Sequence, residues 1–251
     1  DVEGIERSVG AVPLGAMKFA KTSIAAKEEN YHQLMETLLA KFSERCEAAG
    51  VRHTEFEMQG EPAEAILEES NYFDCVVVGL RTFFTYESGA GKDGEYGTAD
   101  DEPGDSLEKI MKTTLAPVFA VPLNWKPDGH FSALIAHNGS PHSMRALRQF
   151  ARLYGRTQVS VSLMHCTDAA DQSPEMLSKS VGFLRAHGFA NVEARTESGD
   201  IRDVMSADYC ESFDLVVLGA HGKSGVVEFF TGSLCKDLIE CGNKPLLIAN
   251  G

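Results

Sequence analysis

Asp214-Leu-Val-Val-Leu-Gly219-Ala-His-Gly222-Lys-Ser-Gly-Val-Val-Glu-Phe-Phe-Thr-Gly232-Ser233 is the stretch from which the fold can be read. A short apolar run of strand character ends in glycines and feeds a helical pattern over residues 232–240. Glycines at such a strand-to-helix turn let backbone N–H groups approach a bound anion where a Cβ would block it. Ser233 opens the helix, so its hydroxyl is placed to cap the helix or to bind a phosphate, and the helix N-terminus favours negative charge. The same pattern is also met as a plain Gly-rich βα turn with no ligand.

The strand recurs. Asp74-Cys-Val-Val-Val-Gly79 matches Asp214-Leu-Val-Val-Leu-Gly219 at an offset of 140 positions, with Phe73 and Phe213 before the aspartates. Upstream, Gly60-Glu-Pro-Ala-Glu pairs with Gly199-Asp-Ile-Arg-Asp, in each case a glycine that ends an extended segment and starts an acidic-first helix. Downstream, Pro117-Val-Phe-Ala-Val pairs with Pro245-Leu-Leu-Ile-Ala. The chain reads as a tandem duplication. Short apolar strands alternating with helices of ten or more residues predict an α/β fold: two tandem doubly wound, Rossmann-like domains with parallel sheets. The expected domains are 1–123 and 131–251, joined at residues 124–130, where Pro127-Asp-Gly129 supplies a turn and Trp125 is expected to pin the linker.

The second copy is expected to begin with a strand Phe131–Ala136, a loop His137-Asn-Gly-Ser140, a helix to about Leu153 and a second strand Val159–Cys166. Nothing in the first copy matches these elements, so that copy reads as lacking its β1, α1 and most of β2, with unpaired strand edges as the consequence. The expectation is that the natural chain starts further upstream.

The full spacing, Gly-x2-Gly-x9-Gly-Ser, resembles the nucleotide-binding signature of the universal stress protein family, an α/β fold whose ATP-binding members hold the triphosphate with this loop. Asn243-Lys-Pro-Leu-Leu-Ile-Ala249 resembles the family's closing strand. The resemblance implies a strand order of 3-2-1-4-5 and a bound adenine nucleotide, ATP with or without Mg. On this chain it implies a site of Gly219, His221, Gly222, Gly232 and Ser233 from the loop, Ala136, Asn138 and Ser140 after the first strand, and His165 and Cys166 at the end of the second. Two positions depart from the family: Asn138 stands where an aspartate is usual, and His221 where arginine is frequent. Without the aspartate, a divalent cation would be held chiefly by phosphate oxygens. A histidine at a strand end such as His165 is more often a packing residue than a ligand, and His221 is also read as a solvent-facing loop residue.

The first copy breaks the signature. Gly79 to Ser106 spans 27 positions against 14 from Gly219 to Ser233; Thr82 and Asp105 replace the second and third glycines. The insert, within 82–104, carries five acidic residues and one lysine between Ser88 and Glu102. A carboxylate beside a triphosphate is repulsive, so this copy is not expected to bind ATP in the family manner. Its Gly-Ala-Gly-Lys run lacks the Walker spacing. The insert reads as a solvent-facing loop suited to a protein partner or to cations.

The 251 residues are 43% hydrophobic and 24% charged, enough for a full core. With 37 acidic and 23 basic residues the net charge is −14, a surface that repels nucleic acid and anionic lipid. No apolar stretch is of membrane-spanning length, and none of the six cysteines forms a C-x2-C pair. A reducing cytoplasm is expected. No nucleophile-plus-base pair or metal triad is evident, so the expected role is a regulatory module in the stress response, with at most slow ATP hydrolysis. Two alternatives stand beside it: a nucleotide-free scaffold that binds a protein partner, and an adenylyl-transferring enzyme, whose motifs do not occur here. The family resemblance also implies pairing through the last strand of each domain, within one chain as a pseudo-dimer or between two chains as a homodimer.

Overall fold

The computed structural model describes residues 16–56, 58, 62–80, 110, 111, 113–122, 125, 126, 131–155, 157–167, 173–205, 212–219, 238, 239 and 244–249, with side chains of the first helix from His32 onward. The insert at 82–104 and the loop residues His221, Gly222, Gly232 and Ser233 lie outside this set. Two compact units divide the chain, residues 1–65 and 66–251.

The first unit is built on helix α1 (Ala16–Ala48), whose second half carries Leu34, Met35, Leu38, Leu39 and Phe42 at helical spacing. It ends at Gly50, whose φ of 66° lets Val51 N–H reach Cys46 C=O at 2.8 Å and Gly50 N–H reach Glu47 C=O at 3.0 Å. These bonds satisfy carbonyls that the helix end leaves open. The segment that follows turns His53 edge-on to Phe42, with its Nε2 at 2.7 Å from Ser43 Oγ. Helix α2 (Pro62–Ser70) then leads toward the sheet, with Pro62 at a first helical position, where a missing N–H is harmless.

The second unit holds a seven-stranded sheet in the order β1-β2-β7-β6-β3-β4-β5. Its strands are β1 (Val76–Gly79), β2 (Val118–Val121), β3 (Phe131–Ala136), β4 (Val159–Cys166), β5 (Val192–Glu197), β6 (Leu215–Gly219) and β7 (Leu246–Ala249). Helices α3 (Pro141–Tyr154) and α4 (Ser173–Ala186) follow β3 and β4, and the one-turn helix α5 (Ile201–Val204) follows β5. The strands of the second copy are all parallel, and in their own chain order run 3-2-1-4-5, as expected. The last strands of the two copies pair with each other: β2 meets β7 antiparallel, Phe119 opposite Leu247. One continuous sheet thus contains strands of both copies. Trp125, between them in sequence, packs edge-on against Phe119 and Phe131 at ring distances of 6.1 and 6.3 Å.

β6 is flanked by β7 and β3, and Leu215, Val216, Val217 and Leu218 are all buried. Its repeat partner β1 has the same apolar sequence but pairs only with β2 among the described residues, and Val77 is 66% exposed. A run of valines is buried on both faces only where neighbouring strands and helices cover it.

The core lies between the sheet and α3 and α4. Leu147 and Phe150 of α3, Leu184 of α4, Ile135 of β3, Leu163 of β4 and Val217 of β6 are fully buried together. Phe150 stacks on Tyr154 at 5.1 Å and on Phe189 at 5.3 Å. α4 turns an apolar stripe to this core, with Leu184 and Leu177 buried and Met176 and Val181 packed against the cluster.

Candidate functional site

In a parallel sheet a ligand cleft forms outside the carboxyl ends of the strands where the strand order reverses. Here that point is β3, whose chain-order neighbour β4 lies on one side and β6 on the other. A cleft of about 600 Å³ opens there, a size suited to a small molecule. The expected residues Ala136, Asn138, Ser140, His165, Cys166 and Gly219 all line it, although they come from three separate stretches of the chain.

The loop after β3 is built by its own short-range chemistry. Gly139 has φ of 74°, which a side chain rarely adopts. Asn138 Oδ1 accepts the Ser140 N–H at 3.1 Å, and Ser140 Oγ in turn accepts the Ser143 N–H at 3.3 Å as the N-cap of α3. Pro141 occupies the first turn, so the helix start carries no N–H at that position. The α3 N-terminus, with its partial positive charge, therefore borders the cleft, and Ser140's hydroxyl serves that helix as cap.

Gly219, the first glycine of the loop, has a packing reason as well. A Cβ there would stand 2.4 Å from His142 C, 2.5 Å from His142 O and 2.7 Å from Ser143 N, all backbone atoms of the α3 start. The end of β6 can sit against the helix N-terminus only as glycine.

Five polar residues of the cleft are not among the expected site residues: His137, His142, Ser143, Thr167 and Asp200. His137 is 1% exposed, and its N–H donates to Met164 C=O at 2.8 Å. The Ser180 hydroxyl donates its proton to Met176 C=O at 3.0 Å, so toward His137 Nε2, at 2.8 Å, it accepts. That leaves His137 Nδ1 as a bare acceptor, buried and without a hydrogen-bond partner among the described residues. Burial and the neighbouring His165 hold the imidazole's pKa down at about 4, so it is neutral near pH 7. His165 Nδ1–H donates to the His137 carbonyl at 3.0 Å, which ties the ends of β3 and β4 together.

Asp200 reaches the cleft through the repeated Gly199-Asp200 turn. Gly199 has φ of 104°, and Asp200 caps α5 by accepting the Arg202 N–H at 2.8 Å. That bond, with the Arg202 side chain, holds its carboxyl below the usual range. Burial first, then the carboxylates of Glu197 and Asp200, pushes the Cys166 thiol up. The repeat marks Gly199-Asp200 as a helix start; only the fold brings it into one cleft with His165.

The described part of the cleft suits a nucleotide better than a metal. Asn138 is neutral, Asp200 is engaged with Arg202, and no group of three His, Cys, Asp or Glu side chains among the described residues is placed to hold a metal ion. An anionic end fits at the α3 start, where backbone comes close and the helix dipole is favourable. A metal would then depend on phosphate oxygens. No helix among the described residues is long and apolar enough to cross a membrane.

Comparison with known proteins agrees with this geometry. Residues 132–250 match the model of the universal stress protein family. A universal stress protein from Archaeoglobus fulgidus DSM 4304 superposes with a TM-score of 0.63 at 17% identity, over 95% of this chain and 80% of its own, a likeness of fold. Half-length similarities include a universal stress protein in complex with cAMP (TM-score 0.42, 20% identity, 49% of this chain and 98% of that one) and UspA from Lactobacillus plantarum (TM-score 0.40, 15% identity, 49% and 99%). No curated protein matches the sequence. The second copy is thus matched by the universal stress protein family model over almost its whole length, and the fold of a universal stress protein is shared along nearly the entire chain.

Proposed function

We propose that this chain is an adenine-nucleotide-binding regulatory module, acting through the cleft at the carboxyl ends of β3, β4 and β6. The observation that carries the reading is the convergence of Ala136, Asn138, Ser140, His165, Cys166 and Gly219 on one cleft beside the α3 N-terminus. Those residues were picked from a nucleotide-binding pattern, and they meet at the switch point where a doubly wound sheet accepts ligands. On this reading the phosphates rest on backbone N–H groups at the α3 start and on the Gly219–Ser233 loop, and the base and sugar lie toward His165, Cys166 and Thr167. The cleft residues hold and orient the ligand. We take the output to be a change of conformation or of protein partner in the stress response rather than a dedicated reaction.

Calorimetric titration of the intact chain with Mg-ATP and with AMP tests this, with cAMP alongside because one half-length relative was solved with it. Saturable binding near one site per chain, lost in Gly232→Asp, is the expected result. No heat at millimolar ligand would overturn the reading and favour a nucleotide-free scaffold.

A further inference from the structure

We propose that His137 reads the ligand of this cleft, its Nδ1 accepting a hydrogen bond from an N–H or O–H donor of the nucleoside. The inference rests on the nucleotide reading above and adds to it a selecting side chain that lies outside the Gly-x2-Gly-x9-Gly-Ser signature.

His137 is a cleft residue that is almost wholly buried, and its ring is held on one side only. Nε2–H is fixed by Ser180 Oγ, and Ser180 is fixed by Met176 C=O one helical turn earlier, so the ring has one orientation. The other ring nitrogen has no donor for its lone pair among the described residues. A buried acceptor with no donor is unfavourable, and an apolar side chain of similar size would fill the same space without that penalty. The penalty is relieved when a donor arrives, directly or through one ordered water.

The state of the ring restricts which donor that is. Neutral near pH 7, the imidazole offers a phosphate nothing: phosphate oxygens carry lone pairs and no protons at that pH, and lone pair would face lone pair. On this reading the donor that reaches Nδ1 belongs to the nucleoside, and the phosphates lie toward the α3 start. A nucleoside brings two kinds of donor within this chemistry, the exocyclic amino group of the base and the hydroxyls of the sugar.

Four triphosphates separate these sources in titrations of the full chain: ATP, purine riboside triphosphate, which lacks the amino group, 2′-deoxy-ATP and 3′-deoxy-ATP. The wild-type chain is expected to bind at least one of the three analogues about three- to tenfold more weakly than ATP, the worth of one neutral hydrogen bond. Two substitutions assign that loss to the ring. His137→Gln places its amide at the distance of Nε2, keeps the Ser180 contact and removes the acceptor; it is expected to bind ATP as weakly as the wild type binds the discriminated analogue, and to discriminate no longer. His137→Asn keeps an acceptor at the distance of Nδ1 and is expected to retain the preference. Equal wild-type affinity for all four ligands overturns the inference while leaving the nucleotide reading intact, as does discrimination that survives in His137→Gln. Failure of ATP itself to bind overturns both.

Discussion

Asp214 and Ser132 are locked together by their backbones and side chains: Asp214 Oδ2 accepts both the Ser132 N–H and the Ser132 hydroxyl at 2.8 Å, and the Asp214 N–H donates to Ser132 C=O at 3.0 Å. This clasp sets the register in which β3 and β6 meet, Ala133 opposite Leu215. Asp74, the equivalent aspartate of the first copy, instead forms an ion pair with Arg152 at the surface. The two aspartates are thus alike in sequence and unlike in energy. Asp214→Ala leaves the Ser132 N–H without its charged partner and is expected to destabilise the fold by about 1.5–3 kcal/mol. Asp74→Ala, with both partners more than half exposed, is expected to change stability by less than about 1 kcal/mol. Urea unfolding of the two variants side by side checks the contrast.

Gly219 and Gly182 make an opposed pair of substitutions. Ala at 219 drives its methyl into the backbone of the α3 start and is expected to destabilise by about 1–3 kcal/mol and to weaken any ligand that rests there. Gly182 lies within α4 with open space where a Cβ would go, so Gly182→Ala is expected to stabilise by about 0.5–1 kcal/mol. Thermal unfolding midpoints should move in opposite directions.

His137 makes stability pH-dependent. Its pKa falls from 6.5 in the unfolded chain to about 4 in the fold, so between these values the unfolded chain binds the extra proton. Stability from this group is complete above about pH 6.5, falls as pH drops through the window, and is gone below about pH 4, a span on the order of 3 kcal/mol. The difference in unfolding free energy between wild type and His137→Gln, followed from pH 7 to pH 5 before most carboxylates titrate, should shrink or reverse as the pH is lowered. A pH-independent difference would show that the ring is not buried neutral.

Two cysteines should be slow nucleophiles. Burial, partly countered by a backbone hydrogen bond at Phe119 and reinforced by the Asp74 charge, puts the Cys75 thiol at about 11, and burial with two carboxylates raises Cys166. The thiolate is the reactive form, so at pH 7.5 both are expected to alkylate more slowly than a free thiol in the unfolded chain. Bound ATP should slow Cys166 further and leave Cys75 unchanged, because only Cys166 lines the cleft. Mass spectrometry of iodoacetamide-treated protein reads both rates.

Local patterns were the legible part. The apolar runs that became β3, β4, β6 and β7 are recognisable because strands buried on both faces are apolar along their length. β5 is mostly polar, Val-Glu-Ala-Arg-Thr-Glu, as its place at the sheet edge allows, and the sequence shows it only as an extended segment before Gly199. α1 has a stripe in its second half, Leu34, Leu38 and Phe42 four residues apart, but each of these is about half exposed, so the pattern does not point to a buried core. At the site, Asn138 and Ser140 were legible through their turn and cap chemistry, and Gly219 through its place after an apolar strand. His137 was not, since one histidine at a strand end says nothing of burial or of a lone pair left over.

The alternation of strands and helices, the duplication and the capped turn after β3 are written in the chain, because each depends on residues a few positions apart whose backbone and side-chain preferences act locally. Burial is written elsewhere. Val77 and Val217 occupy the same place in the repeated motif, yet one is 66% exposed and the other fully buried. β6 gains β3 and the helices as neighbours, whereas β1 meets only β2 among the described residues. Desolvation belongs to the set of neighbours and not to the residue. For the same reason the joining of both copies in one sheet, the buried neutral His137 and the sharing of one cleft by Asp200 and His165 came from the assembled fold.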